Sequence, residues 1–221
     1  MFEIHLSSRF RSACPNFVGM SIEMNVRNTP SSPLLWEEIN ACTELLLQNL
    51  SSSNDLAQTI ITETRMAYKS CGKDPSRYRP SAEALRRRVL NGLSLYRIHT
   101  LVDLINLVSL QTGFSINAFD TERIDGTSIE LGLGTAEDCF EGIGRGQLNI
   151  ENLPAYKDRQ GAFGTPTSDS ERTKMTLSTR KMLVLINGFE GEKGLEEARS
   201  SIVRLCTQYA QATEIETYLY C

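Results

Sequence analysis

Residues Leu101–Gly126, LVDLINLVSLQTGFSINAFDTERIDG, decide the fold of this chain. Their first half predicts a strongly apolar helix that ends at Gly113, because glycine adopts the left-handed C-terminal conformation at little cost. Phe114–Asp120 then predicts a strand leaving the helix, and Ile124–Gly126 predicts a turn. A buried helix joined directly to a strand indicates a mixed fold of the α+β class.

A polar pair interrupts this apolar helix. Asp103 and Asn106 lie three residues apart and therefore share one helix face. Buried polar side chains require hydrogen-bond partners. A bound ligand, or the backbone groups of a neighbouring turn, would provide those partners, so the pair is a candidate binding site with a structural alternative.

The densest run of functional side chains is GAFGTPTSDSERTK, residues Gly161–Lys174. Gly164 and the proline two residues later suit a tight turn, and the hydroxyl and carboxylate residues that follow favour turns and caps. Arg172 offers a planar fork of donors suited to a carboxylate or a phosphate. These groups form a polar site, or they only satisfy one another, with Arg172 paired to Asp169 or Glu171.

Composition limits the possible partners. The 221 residues are 40% hydrophobic, which supports a real core, and the formal charge is −4. A negative chain has no general electrostatic reason to bind nucleic acid, so any RNA contact must be local and no DNA partner is expected. Six scattered cysteines without a C-x-x-C pair, and only two histidines, signal neither a zinc site nor a disulfide framework. We therefore expect free thiols, no metal and no cofactor.

The N-terminus argues against export. Met1–Leu6 places an acid inside what would have to be an apolar signal region, and no later run is long enough to span a bilayer. These patterns predict a cytoplasmic protein with no membrane partner.

Periodicity predicts the remaining elements. Strands are expected at Phe2–Leu6, at Val18–Val26 with one buried face, around Ile129–Leu133, at Lys181–Phe189 as a central strand, and at Glu214–Tyr220 at an edge. Helices are expected at Leu34–Leu50, at Asp55–Ser70 with Asp55 or Asn54 as its cap, from an N-cap at Ser81 to Gly92, and at Glu192–Ala212. The expected architecture is one domain over residues 1–221, either undivided or built as two intimately joined subdomains.

Two further motifs carry weak signals. Arg86, Arg87 and Arg88 point about 100° apart around a helix, so one or two of them can reach a phosphate while the rest face solvent. Glu141–Gly146 contains a G-x-G-x-G run without the other elements of a dinucleotide fold, which predicts a turn.

Leu101–Gly126, taken with CPNFVGMSIE at Cys14–Glu23, resembles the B3/B4 domain of the bacterial phenylalanyl-tRNA synthetase β subunit. The family pattern in this region is V-V-D-x-x-N-x-V-x-x-x-x-G-x-P-x-H-A-F-D-x-x-R-x-x-G. It is matched at Asp103, Asn106, Val108, Gly113, Ala118, Phe119, Asp120, Arg123 and Gly126. The resemblance continues to about Phe189, and no catalytic module, anticodon-binding region or adenylate-forming motif accompanies it. It therefore implies a freestanding B3/B4 protein.

The resemblance implies an editing site with altered specificity. In the synthetase, this domain hydrolyses tRNA mischarged with tyrosine. Asn117 stands where the family has a pocket histidine, and Leu185 where it has the glutamate that reads the tyrosine hydroxyl. Because recognition of a hydroxyl needs a polar partner, tyrosine specificity is not expected here. By the same comparison, Glu141–Gly146 is expected at the rim of the pocket.

Residues and resemblance together predict a tRNA-related function. As a deacylase of mischarged aminoacyl-tRNA, the protein would use hydroxyls and backbone N–H groups near Gly164 for the oxyanion. Asp169 or Glu171 would orient water, and Arg172 would hold a phosphate of the terminal adenosine. Ser-His-Asp catalysis is disfavoured because both histidines, His5 and His99, are far from the motif in sequence. The candidate catalytic residues are Thr165, Ser168, Asp169 and Ser170, and the candidate binding residues are Asn117, Phe119, Gly164, Arg172, Asp103 and Asn106.

A second form of this prediction is noncatalytic. The protein would then be a binding module for an amino acid, a small metabolite or the acceptor end of a tRNA, having kept the pocket without the synthetase's editing side chains. A structural or assembly role is a third possibility.

Overall fold

A continuous apolar run, Met182–Ile186, forms the middle of the strand around which the protein is built. In the computed structural model, which describes residues 1–48 and 55–221, this strand has a neighbour on each side, as its sequence predicted. The elements in chain order are β1 (Glu3–Leu6), α1 (Ser8–Ala13), β2 (Val18–Asn25), α2 (Pro33–Gln48), α3 (Leu56–Ser70), α4 (Ser81–Leu90), α5 (Thr100–Thr112), β3 (Asn117–Asp120), a 3-10 turn (Thr121–Arg123), β4 (Ser128–Leu133), β5 (Glu141–Gly142), β6 (Gly146–Gln147), β7 (Pro154–Asp158), β8 (Gly161–Thr165), β9 (Ser168–Asp169), β10 (Lys181–Gly188), α6 (Leu195–Ala210) and β11 (Thr213–Tyr220). The predicted α+β class is confirmed.

The strands form two main sheets. The first is antiparallel, with the order β11-β2-β10-β3, so β11 lies at an edge as predicted. The second has the order β1-β4-β7-β8-β9, in which β1 pairs with β4 in parallel and the other pairs are antiparallel. Leu183 and Leu185 of β10 belong to the same buried cluster as Ile129 and Leu131 of β4. The two sheets therefore share a hydrophobic core.

Helices cover the other face of the first sheet. Val184 and Ile186 of β10 pack in a second buried cluster with side chains of α2, α5 and α6. The alternation in β2 predicted one buried face, but Ser21 is fully buried as well. The reason is that this strand is sandwiched between the helices and the second sheet.

The start of α3 follows its predicted capping residue, whereas α4 lacks its predicted cap and α6 begins at Leu195 after Gly194, not at the expected Glu192. Asp55 accepts hydrogen bonds from the first turn of α3, as predicted. Ser81 was expected to be the N-cap of α4 but is its first helical residue, and Pro80 occupies the cap position. The backbone N–H of Ser81 donates instead to the carbonyl of Pro166 at 2.8 Å, which ties this helix to the tip of the β8–β9 hairpin.

Part of one predicted helix–helix connection lies outside the described residues. This applies to the last two residues of the expected Leu34–Leu50 helix, the linker Ser51–Asn54, and the alternative cap Asn54. None of the helices in the described part of the chain combines the length and apolar character needed to cross a bilayer.

The end of α5 is fixed by a close backbone approach. Gly113 has φ of +79°, and a Cβ atom added there would lie 2.1 Å from the carbonyl oxygen of Ala57 in α3. Glycine is therefore required both for the left-handed conformation and for the contact between the two helices.

We predict that Gly113→Ala lowers the free energy of unfolding by roughly 2–4 kcal/mol, because a left-handed conformation and a backbone clash must both be accommodated. Gly92→Ala is the matched control, since Gly92 also has positive φ but nothing lies within 4 Å of the added Cβ. It should cost only about 1 kcal/mol. Urea denaturation of both variants checks the difference, and equal costs would contradict the proposed contact.

Candidate functional site

A cavity of about 380 Å³ opens between α5 and the β8–β9 hairpin. Most of the surface that lines it is apolar. The apolar side chains come from the start and middle of α5, from the strand that follows it, and from two loops. These apolar residues are Ile98, Val102, Ile105, Ile116, Ala118, Ile143 and Met175. The polar lining consists of Ser81, His99, Asn106, Ser109, Asn117, Thr165, Ser168, Asp169 and Lys174. A mainly apolar surface into which polar groups project is typical of a small-molecule site, and the volume lies within the usual range of roughly 300–1,000 Å³.

Asp169 is a central polar group of this wall. Its Oδ1 accepts a hydrogen bond from Asn117 Nδ2 at 2.5 Å, and its Oδ2 accepts one from the backbone N–H of Ala118 at 3.3 Å. Burial raises the pKa of Asp169 from 3.8 to about 7, although both hydrogen bonds lower it. The side chain is thus poised to gain or lose a proton near neutral pH.

The amide of Asn117 is held in one orientation by a buried polar network. Its Nδ2 also donates to the carbonyl of Thr165 at 2.9 Å, and its Oδ1 accepts from Asn187 Nδ2 at 3.1 Å. Asn187 in turn accepts from the hydroxyl of Tyr156, which is 2.6 Å from the hydroxyl of Tyr220. This chain of hydrogen bonds links the two sheets, so Asn117 is a rigid support for Asp169.

Leu185 pairs in register with Asn117. The sequence comparison placed a glutamate of the synthetase at this position. Here the side chain is fully buried in the apolar cluster between the sheets. Leu185 therefore provides no acceptor for a hydroxyl group on a ligand.

The predicted catalytic hydroxyls differ in their availability. Thr165 donates from Oγ1 to the carbonyl of Ser168, and the same oxygen accepts from the N–H groups of Thr167 and Ser168. Ser168 donates to the carbonyl of Asp169 at 3.2 Å and keeps acceptor capacity. Ser170 is not part of the cavity wall, and its hydroxyl accepts from the N–H of Arg172. The hairpin thus brings Thr165, Ser168 and Asp169 to the cavity, and leaves Ser170 outside.

Three predicted binding residues from this region do not line the cavity. Phe119 packs edge-on against Phe163 between the two sheets, with ring centroids 4.7 Å apart. Gly164 is a strand residue, not part of the expected tight turn, and a Cβ there would lie 2.4 Å from the Phe119 ring. Arg172 forms two bonds of 2.8 and 2.9 Å with Asp158, instead of pairing with either acid of its own loop.

The pair of Arg172 and Asp158 is largely buried. Burial would raise the pKa of Asp158, but the hydrogen bonds from Arg172 and from the backbone N–H groups of Asp125 and Gln160, together with the charge of Arg172, outweigh it and hold that pKa below its usual range. Arg172 also donates to the carbonyls of Arg123 and Gly161. Its guanidinium therefore holds the hairpin to the preceding turns. Arg172 thus pairs internally, as one of the two readings of the sequence expected, but its partner is Asp158.

The two polar residues of α5 have different roles, because Asp103 is satisfied by internal hydrogen bonds and Asn106 lines the cavity. Asp103 accepts from the indole N–H of Trp36 at 2.8 Å and from the backbone N–H of Ile98 at 3.0 Å. These bonds account for its buried carboxylate, and Trp36 itself has the packing role expected of a buried aromatic residue. Asn106 lines the cavity. Only the second member of the pair therefore faces the candidate site.

His99 lies in the cavity wall. The sequence did not predict this, because His99 is far along the chain from the polar run Gly161–Lys174. Its Nδ1 accepts from Asn28 Nδ2 at 3.0 Å, so the neutral ring carries its proton on Nε2, which donates to the carbonyl of Met175 at 3.2 Å. Burial lowers the pKa of His99 and keeps the ring neutral. Both nitrogens are engaged, so His99 shapes the wall without serving as a base.

Two further cavity residues were not named as candidates, although both lie in motifs that the sequence indicated. Lys174 brings an ammonium group, which forms an ion pair with Glu171. Ile143 belongs to the turn between β5 and β6, and its N–H donates to the carbonyl of Asp169 at 3.0 Å. The turn within Glu141–Gly146 therefore reaches the edge of the cavity, as the resemblance implied. Across residues 1–48 and 55–221, no group of three or more His, Cys, Asp or Glu side chains is placed to hold a metal ion.

Comparisons with known proteins identify the family of this chain. Residues 63–209 match the family model described as the B3/4 domain. Among solved structures, the protein is similar to an N-terminal fragment of the phenylalanyl-tRNA synthetase beta-subunit from Pyrococcus horikoshii, with 12% identity and a TM-score of 0.49. The match covers 97% of this chain and 50% of that one, so the chain spans about half the length of the fragment. A comparison with curated proteins gave no match.

The raised pKa of Asp169 makes a prediction about stability. The unfolded chain loses this proton near pH 4 and the folded protein near pH 7, so the free energy of unfolding should fall between about pH 4 and 7 and level off above. Asp169→Asn should lack this contribution. Urea denaturation across this pH range measures the difference between the two proteins, and a difference independent of pH would contradict a raised pKa of Asp169.

Proposed function

The chain belongs to the B3/4 domain family, as its motifs predicted, and we propose that it hydrolyses the ester bond of a mischarged aminoacyl-tRNA. The aminoacyl group occupies the cavity beside α5, and the RNA remains outside. The observation that carries this proposal is the Asp169 carboxyl, fixed in an apolar wall with a pKa of about 7. A general base is most effective when its pKa lies near the working pH.

Asp169 has the hydrogen-bonding capacity for this role. Each carboxylate oxygen accepts one bond from strand β3, which leaves each with further lone pairs for a water molecule. Asp169 removes a proton from this water as its oxygen attacks the ester carbonyl carbon. The bond from that carbon to the ribose oxygen then breaks, and the proton is returned to the ribose oxygen. The products are a free amino acid and the uncharged tRNA.

The apolar wall supports an amino acid with an apolar side chain. Val102, Ile105 and Met175 offer no hydrogen-bond partner to a side-chain hydroxyl, and the family's acceptor position is occupied by Leu185. A site of this kind binds apolar groups well but discriminates among them only modestly, by roughly 1–3 kcal/mol per methylene. The ammonium of Lys174 adds a positive charge at the same cavity, where it is paired with Glu171.

A noncatalytic binding role is the second candidate, and one observation favours it. The hydroxyl of Thr165 and both nitrogens of His99 are engaged in internal hydrogen bonds. No nucleophile is therefore paired with a base among the polar residues described in the cavity wall. The same cavity would then hold an amino acid, a small metabolite or the acceptor end of a tRNA without hydrolysing it.

We predict that a panel of tRNAs, each charged with a different amino acid, contains at least one with an apolar side chain whose ester decays faster with the protein than without it. Asp169→Asn should slow that decay by about 100-fold or more, because general-base catalysis contributes roughly 10²–10⁴ in rate. Glu122→Gln is the matched control, since Glu122 is also a carboxylate, follows strand β3, is exposed and is not part of the cavity wall. Its activity should remain close to that of the unaltered protein.

Loss of the labelled amino acid from acid-precipitated RNA measures the reaction. If no charged tRNA decays faster than it does spontaneously while a free amino acid raises the melting temperature, the noncatalytic role is correct. If Glu122→Gln is as defective as Asp169→Asn, Asp169 is not the specific base.

A further inference from the structure

The segment between α4 and α5 is unusually exposed for its composition. We call residues 91–98 the strap. Its large apolar side chains Leu93, Tyr96 and Ile98 are 52%, 65% and 56% exposed, while Leu95 is buried and anchors the segment. Clustered apolar groups on a surface commonly mark a binding site.

The strap leads directly into the cavity. Ile98 and the next residue, His99, both line it. Tyr96 lies two residues before Ile98, which places it at most about 7 Å further along the chain. A ligand whose end lies in the cavity and that leaves it beside Ile98 would therefore come within reach of Tyr96.

This part of the surface is also positively charged. Residues 84–102 contain four arginines and no acid, in a chain whose net charge is −4. Arg86 is turned inward and pairs with Asp55. Arg87 and Arg97 are exposed. A guanidinium nitrogen of Arg87 lies 3.8 Å from the carboxylate of Glu83, just before this segment, and the guanidinium of Arg97 lies 4.5 Å from the centre of the Trp36 ring. The exposed cations complement a phosphodiester backbone, and they are local, as an acidic protein requires.

Arg88 holds Tyr96 in place. It donates to the carbonyl of Ser94 at 2.6 Å and to the hydroxyl of Tyr96 at 3.0 Å, and its guanidinium lies 3.9 Å from the centre of the tyrosine ring. The ring is thus fixed although it is largely open to solvent. An aromatic ring that is both exposed and fixed is suited to stacking on a nucleotide base.

We infer that the strap binds the unpaired 3′-terminal nucleotides of the RNA whose aminoacyl group lies in the cavity, with Tyr96 stacked on a base and Arg87 and Arg97 close to phosphates. This inference rests on the proposed function. It assigns recognition of the nucleotides to the strap and recognition of the amino acid to the cavity.

Two ligands with the same amino acid separate these roles. One is an RNA hairpin with an unpaired 3′ end, charged with an apolar amino acid through a nonhydrolysable amide linkage. The other is the methyl ester of that amino acid, which has no nucleotide. Tyr96→Ala should weaken binding of the RNA about tenfold by fluorescence anisotropy, and should leave binding of the methyl ester unchanged by calorimetry.

Two variants act as controls. Tyr96→Trp should bind the RNA like the unaltered protein, because it retains a stacking surface, and it shows that the strap tolerates substitution. Leu219→Ala removes an exposed apolar side chain from β11, outside the strap and the cavity wall, and should bind both ligands normally.

Each remaining outcome overturns the inference in a recognisable way. If Tyr96→Ala binds the RNA as tightly as the unaltered protein, the strap does not bind nucleotides. If it loses both ligands equally, Tyr96 acts on the cavity and not on the RNA. If the unaltered protein binds the methyl ester but not the RNA, the strap assignment fails while the cavity still binds an amino acid. If it binds neither ligand, the proposed function fails as well.

Discussion

The site depends on one interaction, the pair of hydrogen bonds that strand β3 donates to the Asp169 carboxylate. These bonds, from the Asn117 amide and the Ala118 N–H, tie the β8–β9 hairpin of the second sheet to the edge strand of the first. Asn117 is held in turn by Asn187, and through it by Tyr156. Burial opposes ionisation of the carboxyl while the two donors favour it, and the balance leaves its pKa near 7.

The surroundings of this carboxyl connect the fold to the proposed chemistry. The helix α5 supplies an apolar wall on one side, and the hairpin supplies polar atoms on the other. An electrostatic interaction in such an environment is stronger than the same interaction in water, so a single well-placed base can contribute substantially to hydrolysis. The internal bonds of Thr165 and His99 have the opposite effect, because they remove the groups from which a nucleophile and its base could be formed.

Sequence reasoning succeeded where local chemistry decides the outcome. The uninterrupted apolar run of β10, the Asp55 cap and Gly113 at the end of α5 were all predictable, because each depends on neighbouring residues alone. Asn117 and Asp169, both candidates from the sequence, line a common cavity in the structure. Contacts made across the fold were not predictable. The sequence offered Arg172 several acids, and the fold selects Asp158 as its partner. His99 is the N-cap of α5, and it lines the cavity because this end of the helix lies at the cavity.

The most direct test of this account is a crystal structure with a nonhydrolysable aminoacyl-adenosine analogue that carries an apolar side chain. We predict that the side chain lies against Val102 and Ile105, and that the carbonyl carbon lies within reach of a water molecule bound to Asp169. The adenosine should leave the cavity beside Ile98. An analogue bound elsewhere on the protein, or bound with its carbonyl turned away from Asp169, would contradict the account.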